Sequence, residues 1–290
     1  MAASDETPMV QDLASAGVEE PPSRYLVHEQ DLHGDLLAAD EMPEPIPLID
    51  LSRLMDADEA DKLRAALQTW GFFLATNHGI EDSLMDAMIS ASREFFRQPS
   101  KEKQKCNNLV DGNGKHYQVE GYGSDKVVSE DQGLNWNDRL HLRVEPEDER
   151  NFAKWPSHPE SFRPHSDGNL LTILFVDDNV GGLQVQRDGK WYNVPAKPHT
   201  LVINLGDCLE IMNNGIFRSP VHRVVTNTEK ERLSLAVFYA VDEETVLEPA
   251  PGLLDDKRPP RYRKMMTKDF VAGLYEHFRQ GKRFVDTLKI

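Results

Sequence analysis

The sequence predicts a mainly β protein with flanking helices, and three observations carry that class. From Leu170 onward, short strand-like runs are separated by turn signals at close spacing, the pattern of an all-β sandwich or barrel. Ahead of them, two stretches repeat apolar residues at helical spacing, and a third closes the chain. With 290 residues, of which 39% are hydrophobic and 28% charged, the chain can build one large core with an appended segment.

Residues 1–45 form an acidic leader, with eleven Asp and Glu against the single Arg24. Its acidic, Pro-containing composition predicts a largely flexible segment, above all in the first twenty residues. The ordered part opens at IPLIDLSRL (46–54) with a short strand, then a helix through DEADKLRAALQTWG (58–71). Leu63, Ala66, Leu67 and Trp70 fall on one face of that helix, and Gly71 stops it. FFLATNHGI (72–80) reads as a strand leaving into a turn. DSLMDAMISASREFFRQP (82–99) is a second helix, turning Leu84, Met88, Ala91, Phe95 and Phe96 inward and ending before Pro99. A polar, Gly-rich loop runs to about Gly123, and DRLHLRVEP (138–146) alternates like a strand. The closely spaced strands are LLTILFV (170–176), GLQVQ (182–186), KWYNVP (190–195), TLVINL (200–205), HRVVTN (222–227) and RLSLAVFYA (232–240). DDNVGG, RDGK, AKPH and NNG supply turns between them. A last helix over about 267–280 carries Phe270, Leu274 and Phe278 on one face. The chain thus divides into the leader 1–45, an N-terminal α/β part 46–163, a β core 164–245 and a C-terminal helical extension 246–290.

Charge and cysteine content exclude several function classes. A net charge of -16 repels phosphate, and the short basic groups Lys101 to Lys105 and Arg258 to Lys264 read as solvated faces, so no nucleic-acid partner is expected. No apolar run is long enough to cross a bilayer, and the N-terminus is too acidic for a signal or transit peptide. Cys106 and Cys208 are far apart and read as two reduced thiols. The expected location is cytoplasmic, with no membrane partner.

Chemistry concentrates after residue 164. His165 and Asp167 are two apart, so on a strand both leave the same face, and His222 opens another strand. Two His and one carboxylate on one face of a metal form the triad of non-haem Fe(II) oxygenases. His-x-Asp alone is weak evidence and is better read as an exposed turn. Arg232 and Ser234 add a second pattern, since a guanidinium fork and a hydroxyl on one strand face suit a carboxylate. Read alone, these two also fit a surface Arg and a strand Ser.

Together these stretches resemble the plant 2-oxoglutarate- and Fe(II)-dependent dioxygenases that modify specialised metabolites and hormones. PHSDGNLLTIL, VGGLQVQRDGKWYNVPAKPHTLVINLGDCLEIMNNG, SPVHRVV and RLSLAVFY match the family core in order. IPLIDLS, WGFFLATNHGI, FFRQPSKEKQK, GYGSD and WNDRLHLRV match its N-terminal part. The resemblance covers nearly everything after residue 20. It implies a double-stranded β-helix (jelly-roll, cupin-like) core over 164–245, Fe(II) on His165, Asp167 and His222, and 2-oxoglutarate anchored by Arg232 and Ser234. The implied reaction couples conversion of 2-oxoglutarate to succinate and CO2 with O2-dependent hydroxylation of a small metabolite. Demethylation and desaturation are variants, and ascorbate is a further candidate cofactor. The family places Asn204 near the cofactor; Leu205 is read as core. His78, His141, Trp70, Phe72, Phe73, Trp191 and Tyr192 are read as structural.

One departure from the family stands in HPESFRPHSDGNLLTIL (158–174). The segment matching HPESF normally begins a long helix, followed by several dozen residues that include a core strand ending in an Asn-Tyr-Tyr-Pro-type motif. Here Phe162 and Arg163 run directly into Pro164 and His165. The expected consequences are a gapped core, an unpaired sheet edge and exposed apolar surface near the site. A family tyrosine that binds 2-oxoglutarate also lacks a counterpart. Three readings follow: an oxygenase that turns over, a shortened form that binds metal or a partner without turnover, and a cupin-like metal protein without co-substrate.

Overall fold

The computed structural model describes residues 9–18, 20–26, 44–109, 117–124, 134–156, 170–177, 180–225, 230–278 and 283–290. The first half of the chain contains α1 (Val10–Ser15), β1 (Leu48–Asp50), α2 (Ala57–Thr69), β2 (Phe72–Thr76), α3 (Asp82–Arg97), α4 (Ser100–Lys103), β3 (Gly121–Gly123) and β4 (Arg139–His141). There follow β5 (Leu171–Val176), β6 (Leu183–Arg187), β7 (Lys190–Asn193), β8 (Leu201–Leu205), α5 (Asp207–Met212), β9 (His222–Val224) and β10 (Ser234–Phe238). The chain closes with β11 (Val246–Leu247), β12 (Met265–Met266), α6 (Thr267–Phe278) and α7 (Phe284–Thr287). No helix among the described residues is long and apolar enough to cross a membrane. Two compact units result, residues 1–32 with 90–166 and residues 33–89 with 167–290.

The second unit holds two sheets. Five strands run in the order β1-β2-β8-β5-β10, and three in the order β7-β6-β9; only β1 and β2 pair in parallel. Register decides which side chains meet. Leu74 lies opposite Val202, Val202 opposite Leu174, and Leu174 opposite Ala236, so these share one face of the large sheet. That face packs against Leu183, Val185, Tyr192 and Val194, with Ile46, Trp70 and Phe72 completing the cluster. The other face carries Phe73, Ala75, Phe175, Leu201 and Ile203, covered by Ala66 of α2 and by Met85 and Ile89 of α3. β2 is buried on both faces, which is why FFLA is an unbroken apolar run rather than an alternating one. Each such fully buried side chain contributes about 1.5–3 kcal/mol.

Both sheets end in open edges among the described residues. Asp177 N–H donates to the Leu233 carbonyl and Tyr239 N–H to the Leu171 carbonyl, so the odd-numbered residues of β10 turn their backbone groups to β5. Those of Ser234, Ala236 and Phe238 therefore point off the edge. The same three side chains are exposed, and Val224, Val225, Phe238 and Tyr239 form exposed apolar surface. The junction at Phe162–His165, where the sequence leads one to expect a gap, lies outside the described residues.

The C-terminal segment is tied to the sheets by α5, a helix too short to register in the sequence pattern. Cys208 and Ile211 pack with Leu247, Tyr262, Phe270, Val285 and Leu288. Both cysteines are free and buried.

In the first unit, Val10, Tyr25 and Leu134 form one cluster and Phe95, Cys106 and Tyr122 another. The leader departs here from its expected flexibility. α1 forms because the Val10 and Gln11 N–H groups donate to the Asp138 carboxylate at 2.8 and 2.9 Å. That cap comes from more than a hundred residues away, so local composition could not reveal it.

Candidate functional site

His222 begins β9, and its partner in the ladder is Val185, which also faces Tyr192 across β7. Residues directly opposite share a face, so the imidazole leaves on the side of the inter-sheet core while remaining exposed at its rim. Its Nδ1 lies 3.2 Å from the Pro220 carbonyl oxygen. A carbonyl only accepts, so in the neutral imidazole that contact puts the proton on Nδ1 and the lone pair on Nε2. This tautomer suits metal binding through Nε2. The next residue, Arg223, turns the opposite way, stacks 4.0 Å over the Trp191 ring and donates from Nε to Gln184.

Arg232 and Ser234 lead into and begin β10. Ser234 lies opposite Val176 and on the face of Leu174 and Val202, again the inter-sheet side. Arg232 Nη1 donates to Ser234 Oγ at 3.2 Å. Its Nε and Nη2 are buried and have no hydrogen-bond partner among the described residues. Burial also draws its pKa below the ordinary arginine value. A guanidinium still stays charged at any physiological pH, so the fork carries a positive charge with two unsatisfied donors. Such a group is expensive in isolation and is satisfied by a carboxylate, whose two oxygens match the fork.

Gly182 makes room for the Val225 backbone beside this side chain, a role its sequence signal does not reveal. Its φ is +128°, and an added Cβ would meet the Val225 carbonyl oxygen at 2.7 Å and Arg232 Cδ at 3.6 Å. The Gly181-Gly182 pair was the available signal, read only as a turn. Asn204 lies opposite Phe72 and Thr172, so it shares the inter-sheet face, while Leu205 is buried.

His165 and Asp167 fall in 157–169, outside the described residues. Among the described residues no group of three or more metal-ligating side chains occurs. The structure thus brings His222, Arg232 and Ser234 to the inter-sheet side of one unit.

The residues read as structural have clear partners. Trp70 packs edge-on to Phe72 and Tyr192 at 5.8 and 5.4 Å. His78 Nε2 contacts the His199 carbonyl oxygen at 3.1 Å, between Asn77 and Gly79, both at positive φ. Burial, then Arg139 and Arg143, hold the His141 pKa below its usual value.

Comparison with known proteins gives a consistent picture. The 2OG-Fe(II) oxygenase superfamily model matches residues 142–241, and the model for the N-terminal part of non-haem dioxygenases in morphine synthesis matches residues 46–165. The chain is 34% identical to 2-oxoglutarate-dependent dioxygenase 11 of Oryza sativa subsp. japonica, over 84% of this chain and 85% of that one. It is 33% identical to S-norcoclaurine synthase 1 of Coptis japonica, over 97% and 96% respectively. The latter alignment spans 347 positions against 290 residues here, so at least 57 of them (347 − 290) have no residue in this chain. Among solved structures, JOX2 in complex with 2OG, Fe and JA superposes with a TM-score of 0.81 at 28% identity, covering 99% of this chain and 98% of that one.

Proposed function

This chain belongs to the plant branch of the 2-oxoglutarate- and Fe(II)-dependent dioxygenases, and from that premise we propose that it oxidises a small plant metabolite at a site built from His165, Asp167, His222, Arg232 and Ser234. The observation that carries the proposal is the Arg232 fork: a half-buried cation with two buried donors unpaired among the described residues, braced by Ser234 on the inter-sheet face. The family uses Fe(II) and 2-oxoglutarate, and these residues fit both. Arg232 and Ser234 would take the distal carboxylate of 2-oxoglutarate. His222, with Nε2 free, would ligate the metal together with His165 and Asp167. Two imidazoles and one carboxylate leave positions open for the co-substrate and O2.

When bound, the iron supplies the redox chemistry by which O2 and 2-oxoglutarate give succinate, CO2 and an oxidised substrate. The protein's part is positional. Arg232 fixes one end of the co-substrate, Ser234 fixes the fork, and the apolar inter-sheet wall of Leu174, Val185 and Val202 excludes water. Family relatives include O-demethylases, so hydroxylation and demethylation are separated by product analysis.

The test is succinate release from 2-oxoglutarate with added Fe(II), run beside Arg232→Ala. Turnover above that control is expected. Anaerobic titration should also give the visible charge-transfer band of the chelated Fe(II)–2-oxoglutarate complex. Iron binding without that band, and without succinate, would instead support the metal-binding reading.

A further inference from the structure

Glu210 is 1% exposed in α5, a carboxylate buried outside the set of His222, Arg232 and Ser234. Its carboxylate is fully engaged. Oε1 accepts from the Tyr262 hydroxyl at 2.8 Å, and Oε2 accepts from Arg283 Nη2 at 3.0 Å. The remaining bond differs in kind, because Oε2 also accepts from the backbone N–H of Ser219 at 2.8 Å. Ser219 opens Ser219-Pro220-Val221-His222, the segment that delivers the imidazole.

The other restraints on that segment converge on the same few residues. Pro220 supplies the carbonyl that orients the His222 ring. The Val221 carbonyl accepts from Gln186 N–H at 2.8 Å, which sets the register of β9 beside β6. Arg218 lies against Gly71, where an added Cβ would sit 2.2 Å from its carbonyl oxygen. Upstream, Asn213 Oδ1 accepts from Phe217 N–H at 2.9 Å. Of these anchors, only Glu210 connects the segment to the C-terminal residues Tyr262 and Arg283.

We propose that Glu210 is a positioning residue for the metal site: through the Ser219 N–H it fixes the backbone that presents His222, and Arg283 and Tyr262 hold its carboxylate in place. The C-terminal segment thereby becomes part of the metal site's support without touching the metal. This rests on the reading of His222 as a ligand. Groups that orient a metal-binding histidine typically matter by 10–100-fold in metal affinity.

Two substitutions separate positioning from general stability. Glu210→Gln keeps an oxygen for Ser219 but loses the charge that pairs with Arg283. Glu210→Met keeps the volume and loses both. Each full-length variant is titrated anaerobically with Co(II), following the visible ligand-field band, and melted in parallel. Both variants should melt lower than the parent, but only Glu210→Met should bind Co(II) more weakly, by roughly 10-fold or more, with an altered band. Glu210→Gln should stay within about threefold of the parent. Equal Co(II) affinity in parent and Glu210→Met overturns the proposal, as does equal weakening in both variants. If Glu210→Met does not fold, Ser219→Pro removes the N–H itself and leaves the carboxylate intact; unchanged Co(II) binding there is equally fatal. A parent chain that binds no Co(II) refutes the ligand assignment of His222 and takes this inference with it.

Discussion

Replacing Arg232 by Met separates the two consequences of burying an unpaired fork. The side chain keeps its length but loses the charge and the two buried donors, Nε and Nη2, that lack partners among the described residues. A bond from a charged donor to a carboxylate is worth about 1.5–3 kcal/mol. Losing two removes about 3–6 kcal/mol of 2-oxoglutarate binding, a factor on the order of 100 to 10,000 in Kd. The ligand-free protein should respond in the opposite direction. An unsatisfied buried donor costs about 1–3 kcal/mol, and in a chain of this size each kcal/mol moves Tm by roughly 2–4 °C. Arg232→Met should therefore melt at least about 2 °C higher without ligand while showing no stabilisation by 2-oxoglutarate. The assays are anaerobic titration of the Fe(II)–2-oxoglutarate charge-transfer band and thermal melts with and without co-substrate. A variant whose Kd for 2-oxoglutarate stays within threefold of the parent would refute the assignment.

Other outcomes follow from particular residues. His141 is held below its usual pKa by burial and by Arg139 and Arg143, so the folded state binds fewer protons at this site than the unfolded one. Its contribution is complete above about pH 6.5 and is lost as pH falls below that value; His141→Gln should flatten Tm against pH between 5 and 7. Gly71 has φ +70°, and a Cβ there would sit 2.2 Å from the Arg218 carbonyl oxygen, so Gly71→Ala should destabilise by about 2 kcal/mol or more in urea melts. Burial pushes the Cys208 thiol up to about 12 and raises that of Cys106; both should resist iodoacetamide at pH 8 until the chain is unfolded. Along β10, hydrogen exchange should be fast at the Ser234, Ala236 and Phe238 amides and slow at Leu235 and Val237; uniform protection would show the edge to be covered.

Much of the architecture was legible because the sheets are built from local signals. Alternation and turn chemistry located β5 to β10 to within a few residues, and helical periodicity located α2 and α3. The misses are non-local. α1 depends on a carboxylate at Asp138, and α5 is a single short helix whose buried Glu210 makes sense only once Tyr262, Arg283 and Ser219 meet it. For the site, the pairing of Arg232 with Ser234 was readable from their spacing of two on a strand. What spacing could not show was that two of the fork's nitrogens are buried and unpaired among the described residues, or that Gly182 lets the Val225 carbonyl approach beside it.

The open edge of β10 bears directly on how tightly such a site can bind. Among the described residues, Ser234 sits on a strand held by β5 on one side only, and its backbone N–H and C=O point to the other side. A strand secured by one ladder opens at lower free energy than one secured by two, and a site that is competent for a fraction f of the time binds with Kd raised by 1/f. Among the described residues the fork is braced by Ser234 at Nη1, and Gly182, which passes close to its Cδ, accepts through its carbonyl from the Val225 N–H at 2.8 Å, the bond that joins β9 to β6. Those contacts link the proposed anchor for the co-substrate to the strand that carries His222. A perturbation of Gly182 should consequently reach both ends of the proposed site, whereas one confined to Ser234 should reach only the anchor.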